Sequence, residues 1–165
     1  MVENAFVGLG SNLGDRRAYI KSGFASISGL PKVTSCRISC LYETPPIDYE
    51  AQPHFINAVA LVKSELSPNE LLQALLTIEQ EHKRERHIAN GPRTLDLDLL
   101  LYGNQVMGGN NLQLPHPRLT ERCFVLKPLL DLDSTLKHPK TGKCLATYLA
   151  QCDCMGVHPA GVVTG

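Results

Sequence analysis

Between Thr94 and Tyr102 the chain reads Thr94-Leu95-Asp96-Leu97-Asp98-Leu99-Leu100-Leu101-Tyr102, and this run constrains the fold more than any other. Side chains of a β-strand alternate between its two faces, so Leu95, Leu97, Leu99 and Leu101 line one side. An α-helix would scatter the same residues around its axis. The leucine face demands a core, while Asp96 and Asp98 project together from the opposite face. Their Cα atoms lie about 6.6 Å apart at the usual ~3.3 Å rise per residue. The chain must therefore contain a sheet with one face packed and a pair of acids on the other.

The flanking sequence supplies partners for that strand. Ala5–Leu9 reads as a short strand, followed by a glycine-containing turn over Gly10–Gly14 and a helix from a cap at Asp15 to about Ser28. Thr34–Tyr42 alternates small or apolar residues with Ser35, Arg37 and Ser39, as a half-buried strand does. Glu43–Pro53 carries three prolines and reads as a loop. Phe55–Val62 is apolar on nearly both faces, which suits a central strand. Ser67-Pro68-Asn69-Glu70 is a capping box with proline at the first helical position, and the helix behind it presents Leu71, Leu72, Leu75, Leu76 and Ile78 to a core. Gly103-Asn104 turns the acidic strand into a short hairpin, with Leu112 and Leu114 starting the next pairing. A last helix covers about Lys143–Gln151. Hairpins mixed with crossovers predict an α+β sandwich, a mostly antiparallel sheet covered by helices.

Composition sets the outer limits. At 165 residues the chain is expected to form a single catalytic domain over 1–165, with 157–165 a loosely ordered tail. Sixteen basic and sixteen acidic residues cancel, so a general nucleic-acid or membrane-surface binder is disfavoured, and any polyanion must be met by a local patch. No apolar run approaches a membrane span, and the start lacks a basic region followed by an apolar one. The expectation is a soluble, cytoplasmic protein. The six cysteines (Cys36, Cys40, Cys123, Cys144, Cys152, Cys154) include no CxxC pair and read as reduced thiols. Cys36 and Cys40 are expected as small core residues on one strand face. Cys152, Cys154 and His158 offer three local ligands, at a spacing that fits no zinc motif well.

Two carboxylates side by side on a strand repel unless a cation lies between them, and they are hard oxygen ligands suited to Mg²⁺ when phosphates complete the shell. A solvated edge bearing two acids is the other reading. Just upstream stand Lys83, Arg84, Arg86 and Arg93 against one acid, Glu85, with His82 and His87 beside them. Guanidinium forks bind phosphate oxygens bidentately. A basic loop running into paired acids fits Mg²⁺ with a nucleoside triphosphate, and so phosphoryl-type transfer. The usual nucleotide fingerprints are missing: Gly8–Gly14 has one residue too many for G-x-G-x-x-G, and Thr141-Gly142-Lys143-Cys144 lacks the upstream glycine and the hydroxyl of a phosphate loop.

A second constellation suits an aromatic substrate. Phe55 and Asn57 share a strand face, offering a stacking surface and a paired donor and acceptor for a heterocycle edge. Phe124 could form the other wall, although a phenylalanine in such a position is more often core than site. Asn57 within an apolar strand is harder to explain as packing, because an unpaired buried amide costs a few kcal/mol. Glu79 continues the Leu72–Leu76 stripe onto an apolar face, where it pairs with a loop arginine or helps hold a nucleotide. His116, between Pro115 and Pro117, either hydrogen-bonds a phosphate or packs a turn. Thr44-Pro45-Pro46-Ile47 is a stiff segment able to present backbone groups to a ligand.

Taken together, these segments resemble the 6-hydroxymethyl-7,8-dihydropterin pyrophosphokinase family. The resemblance runs from the first strand to about Leu132. It rests on Val7-Gly8-Leu9-Gly10-Ser11-Asn12-Leu13-Gly14-Asp15, Tyr42-Glu43-Thr44-Pro45-Pro46, Phe55-Ile56-Asn57, Gly91-Pro92-Arg93-Thr94-Leu95-Asp96-Leu97-Asp98, and Pro115-His116-Pro117-Arg118 followed by Arg122-Cys123-Phe124-Val125-Leu126. It implies a ferredoxin-like α/β sandwich, monomeric in many members. It also implies transfer of the β,γ-diphosphate of ATP, as one unit, to the hydroxymethyl oxygen of the pterin, releasing AMP. Asp96 and Asp98 match ligands of two Mg²⁺ ions, and Arg84 and Arg93 match the arginines that grip the triphosphate. Glu79, Arg86, Leu99, His116 and Arg122 match the ATP side. Thr44, Pro45, Ile47, Phe55, Asn57 and Phe124 match the pterin side. The chain departs from some members in carrying Asn90 where they have tryptophan, and in a basic loop about one residue shorter. A binding module that senses the same ligands, or a γ-phosphate kinase, are the competing readings.

Overall fold

A computed structural model describes residues 2–45, 53–83 and 94–163. The elements are β1 (Glu3–Ser11), α1 (Arg16–Ser28), β2 (Val33–Ile38), β3 (Tyr42–Thr44), β4 (Phe55–Ser64), α2 (Pro68–Lys83), β5 (Asp96–Tyr102), a 3-10 turn at Leu119–Glu121, α3 (Cys123–Leu132), α4 (Leu145–Gln151) and β6 (His158–Pro159). The strands form one sheet in the order β5-β1-β4-β3-β6, with β2 also on β4, and every pairing is antiparallel. The expected α+β sandwich is the fold observed.

Two apolar layers hold it. On one face Val7, Leu9, Ile56, Ala58, Leu95, Leu97 and Leu99 meet α1 and α2 through Ile20, Ile27, Leu71, Leu75 and Ile78. On the other, Phe6, Val59, Leu61, Leu100 and Leu101 meet α3 and α4 through Val125, Leu126, Leu129 and Leu145. Burial on both faces explains why β4 is apolar along nearly its whole length. The helix starts follow the capping chemistry of the sequence. Asp15 Oδ1 accepts from Ala18 N–H at 3.1 Å. Ser67 Oγ accepts from Glu70 N–H at 3.1 Å while Glu70 Oε1 accepts from Ser67 N–H at 2.9 Å, the reciprocal pair of a capping box.

Several expectations are corrected. The run of leucines does not keep one face throughout. Phe6 pairs with Leu101 and Val7 with Leu99, so Leu100 is the extra residue of a bulge and Leu101 turns to the α3 side. The strand expected over Thr34–Tyr42 is divided into β2 and β3. Ser39 N–H donates to Val59 O at 2.9 Å and Ser39 Oγ accepts from Val59 N–H at 3.0 Å, a side chain standing in for backbone pairing. The break leaves Cys40 exposed and Cys36 only partly buried. Glu43 and Thr44 are strand rather than loop. Helix α3 was not among the expected elements; Pro128 lies inside it, removing the N–H that would reach the Phe124 carbonyl.

The largest departure concerns the C-terminal segment and its cysteines. Cys123 and Cys154, 31 residues apart, form a disulfide with their Cα atoms 5.4 Å apart, so these two are not reduced thiols. Among the described residues no cluster of three metal-ligating side chains occurs, and Cys154 is committed to Cys123 rather than to Cys152 and His158. Residues 157–163 are not a loose tail: Val157 is buried, and β6 lies along β3 with Pro159 opposite Tyr42 and His158 opposite Glu43. No helix among the described residues is long and apolar enough to cross a membrane.

Candidate active site

The site grows out of the register of three long strands. Gly10 on β1 stands opposite Asp96 on β5 and opposite Asn57 on β4, and Gly8 stands opposite Asp98 and Val59. Cross-strand partners point to the same face, so Asp96, Gly10 and Asn57 form one row and Asp98, Gly8 and Val59 the next. At about 4.8 Å between strands, the outer members of a row are roughly 10 Å apart. The glycines in the middle leave an open floor between the acids and the amide. At Gly10 nothing larger fits: a Cβ there would stand 2.9 Å from Asn57 Oδ1.

Helix α3 and the segment before it roof this floor, enclosing a cleft of about 720 Å³, within the usual range for a small-molecule site. Phe55 and Phe124, from β4 and the start of α3, both line it, as do Thr44 and Pro45 at the end of β3. Asn57 is 9 % exposed, and its Nδ2 donates to Thr44 Oγ1 at 2.8 Å. That bond answers the cost of burying the amide and fixes its orientation, with Oδ1 over Gly10. The Arg122 guanidinium carbon lies 5.6 Å from the centroid of the Phe124 ring, a cation–π contact that ties a positive charge to an aromatic wall.

The opposite wall follows the outer edge of β5. Leu97 N–H donates to Glu79 Oε2 at 2.7 Å, and His116 N–H donates to Leu100 O at 2.9 Å. These bonds cover an edge that would otherwise be open for pairing, and they bring α2 and the His116 segment to the acids. Glu79 is therefore a strand-edge acceptor as well as a lining residue. His116 Nδ1 accepts from Arg118 N–H at 3.2 Å, so the neutral ring carries its proton on Nε2. Burial holds the His116 pKa below its ordinary value; Arg122 and Arg118 act in the same direction and Asp98 opposes them.

Asp96, half-buried, and Asp98, exposed, both line the cleft from one face of β5. Paired carboxylates on one strand face are hard oxygen ligands of the kind that suits Mg²⁺ when water and phosphate complete its shell.

One cleft thus gathers Thr44, Pro45, Phe55, Asn57, Glu79, Asp96, Asp98, Leu99, His116, Arg122 and Phe124, every described residue that the family resemblance assigned to metal, ATP or pterin. The Leu99 side chain belongs to the core beneath α1 and α2. Ile47, Arg84, Arg86 and Arg93, with Asn90, lie outside the described residues. Gly8, expected on the first strand, and Gly10, expected in the turn after it, are both strand residues that form the floor; their alternation with Val7 and Leu9 was the available signal. Asn110, Asn111 and Gln113 also line the cleft, and nothing in their spacing marked them.

A family model described as 7,8-dihydro-6-hydroxymethylpterin-pyrophosphokinase matches residues 6–134. The 2-amino-4-hydroxy-6-hydroxymethyldihydropteridine pyrophosphokinase of Pseudomonas aeruginosa is 40% identical over 157 residues, covering 95% of this chain and 96% of that protein. Its Bacillus subtilis namesake is 42% identical over 128 residues, covering 78% and 77%. The folic acid synthesis protein fol1 of Pneumocystis carinii is 42% identical over 146 residues, and there this chain spans only 20% of the longer protein. Among solved structures, a Plasmodium falciparum HPPK-DHPS superposes with a TM-score of 0.72 at 14% identity over 92% of this chain and 43% of that one, a likeness of fold. The chain belongs to the 7,8-dihydro-6-hydroxymethylpterin-pyrophosphokinase family.

Proposed function

We propose that the cleft binds 6-hydroxymethyl-7,8-dihydropterin between Phe55 and Phe124 and ATP along the Glu79, His116 and Arg122 wall, with Asp96 and Asp98 between them. The chain is a pyrophosphokinase of folate biosynthesis with ATP as co-substrate. The observation that carries the site assignment is the two adjacent rows Asp96–Gly10–Asn57 and Asp98–Gly8–Val59, which bring two acids and a buried amide to one glycine floor.

In the pterin subsite Asn57 reads the ring edge, with Thr44 fixing its amide and Pro45 and Ile47 completing the wall. In the nucleotide subsite Arg86 joins Glu79, Leu99, His116 and Arg122. Arg84 and Arg93, placed by their motif, grip the triphosphate and stabilise the transferring group. Asp96 and Asp98 would hold two Mg²⁺ ions, which when bound supply charge neutralisation and Lewis acidity at the phosphates. The hydroxymethyl oxygen forms a bond to the β-phosphorus, the bond between the β-phosphorus and the oxygen bridging to the α-phosphate breaks, and AMP leaves. The hydroxyl proton passes to solvent. Positioning carries the rate, with no covalent enzyme intermediate. The working unit is proposed to be a monomer in the cytoplasm.

The test is to incubate the protein with ATP, Mg²⁺ and the pterin and to identify the nucleotide product. AMP that appears only when pterin and metal are both present is the expected result. ADP would instead mark a γ-phosphate kinase, and tight binding without turnover a sensor.

A further inference from the structure

The family match ends at residue 134, yet the chain beyond it returns to the site. From Cys154 to Gly161 it runs along the outer side of β3, a strand of only three residues whose other neighbour is β4. Leu41 N–H donates to Gly161 O and Ala160 N–H to Leu41 O, both at 2.7 Å, extending the pairing of β6. Val157 is buried in a small cluster with Tyr42 and Cys123. Gly156, at φ +82°, lies so close to Pro45 that a Cβ there would stand 3.1 Å from Pro45 Cδ and Cγ. The segment thus presses on β3 beside Thr44, while its disulfide fastens it to Cys123, the residue before Phe124. One cross-link holds together the two elements that wall the pterin side.

We propose that residues 154–161 are a positioning strap for the pterin subsite and that the Cys123–Cys154 disulfide sets its hold, so that a dithiol reductant weakens pterin binding without changing ATP binding. The inference rests on the assignment of Thr44, Asn57 and Phe124 to the pterin. Cys123 is 3 % exposed, whereas Cys154 is partly exposed. A thiolate of the dithiol therefore attacks Cys154 Sγ, and the Cys123 sulfur leaves as thiolate and takes up a proton. The second thiol of the reductant then resolves the mixed disulfide, releasing Cys154 as a thiol. Two electrons have passed to the cystine, and the reductant has become its own disulfide. Released from Cys123, the strap keeps its short pairing to β3, its bonds to Leu41 and the packing of Val157 but loses its covalent tie to α3, and part of the ordering of that edge becomes a cost to pterin binding.

Alkylation followed by mass measurement should find four modified cysteines in the oxidised protein, matching the free thiols, and all six after dithiothreitol. Steady-state kinetics on the two forms should give a pterin KM raised on the order of tenfold by reduction, a common size for such couplings, with the ATP KM unchanged. Cys154→Ser should have the raised pterin KM with or without dithiothreitol. Gly156→Ala, which keeps both cysteines and crowds Pro45, should raise the pterin KM selectively without reductant. Finding six modified cysteines before reduction overturns the proposal. An unaltered pterin KM on reduction, or equal changes for both substrates, does the same. Asn57→Ala serves as the reference: if it weakens pterin binding while reduction does not, the strap alone is wrong. If Asn57→Ala has no effect, the subsite assignment fails and takes the strap with it.

Discussion

The floor of the cleft and its pterin-side rim are held by different means. Asp96, Gly10 and Asn57 sit on strands of seven, nine and ten residues, paired along their length and packed on both faces. Thr44 sits on a three-residue strand whose outer neighbour is the two-residue β6. The floor needs no special fastening, because many backbone bonds and two apolar layers must fail before a carboxylate moves. The rim relies on individual links: the disulfide to Cys123, the bond from Asn57 to Thr44, and Tyr42 Oη–H donating to Asp131 at 2.5 Å. The contrast suggests a division of labour. On the proposed assignment, the acids and Asn57 are placed where the fold is over-determined, and Thr44 where single contacts set its position.

The largest effect is expected on the floor. Asp96→Ala removes a carboxylate from a rigid strand without touching the core, so turnover should fall on the order of 10³-fold, as when a main electrostatic stabiliser is lost, while thermal stability stays near that of the parent. Rates measured over a series of Mg²⁺ concentrations, beside a melting curve, check this. Near-normal turnover would remove the metal assignment and with it the reason for calling the floor the chemical half.

Gly10→Ala tests where the halves meet. The added Cβ has 2.9 Å to Asn57 Oδ1, too little for a carbon, so the amide must swing and its bond to Thr44 lengthens. A misdirected, part-buried amide costs about 1–3 kcal/mol. The pterin KM should therefore rise by roughly an order of magnitude, with a smaller change in kcat and in the ATP KM. A variant that instead lost kcat at unchanged pterin KM would show that the Gly10 position serves the acids rather than the amide.

How much of this was legible in the sequence follows the same line. The acid pair, the leucine face as far as Leu99, both helix caps and the Phe55–Asn57 spacing are local patterns, and each appears where its period places it. The bulge at Leu100 was invisible because a two-residue period carries no mark of where pairing slips; only the partner strand, at Phe6 and Val7, reveals it. Ser39 interrupts the β2–β3 run through a bond to Val59, twenty residues away. The Cys123–Cys154 link joins residues 31 apart, and a pairing at that distance is set by how α4 returns the chain to β3. Local sequence at Cys123 and Cys154 read as reduced thiols because it lacked that tertiary fact. The acids and the amide of the floor were thus readable from their own strands, and the links that fasten the rim were not.

The smallest effect is expected at Tyr42, whose bond to Asp131 ties β3 to α3. A hydrogen bond to a charged group contributes more than a neutral one, and with Tyr42 buried but Asp131 exposed we expect about 1.5 kcal/mol. Tyr42→Phe should lose that much stability near pH 8 and raise the pterin KM less than Gly10→Ala does. Burial, and then the Asp131 carboxylate, push the Tyr42 pKa well above the ordinary tyrosine value. The folded state thus holds the phenolic proton more tightly than the unfolded chain, whose tyrosine titrates near pH ~10. The contribution is complete below that pH and declines as pH rises through the folded value. Urea midpoints of parent and variant should differ at pH 8 and converge as pH climbs above ~10. No gap at pH 8 would mean that packing of the ring, which the variant keeps, rather than the hydrogen bond to Asp131 holds β3 to α3. The rim would then be secured by apolar contact as the floor is, and the division between them would lie in the lengths of their strands alone.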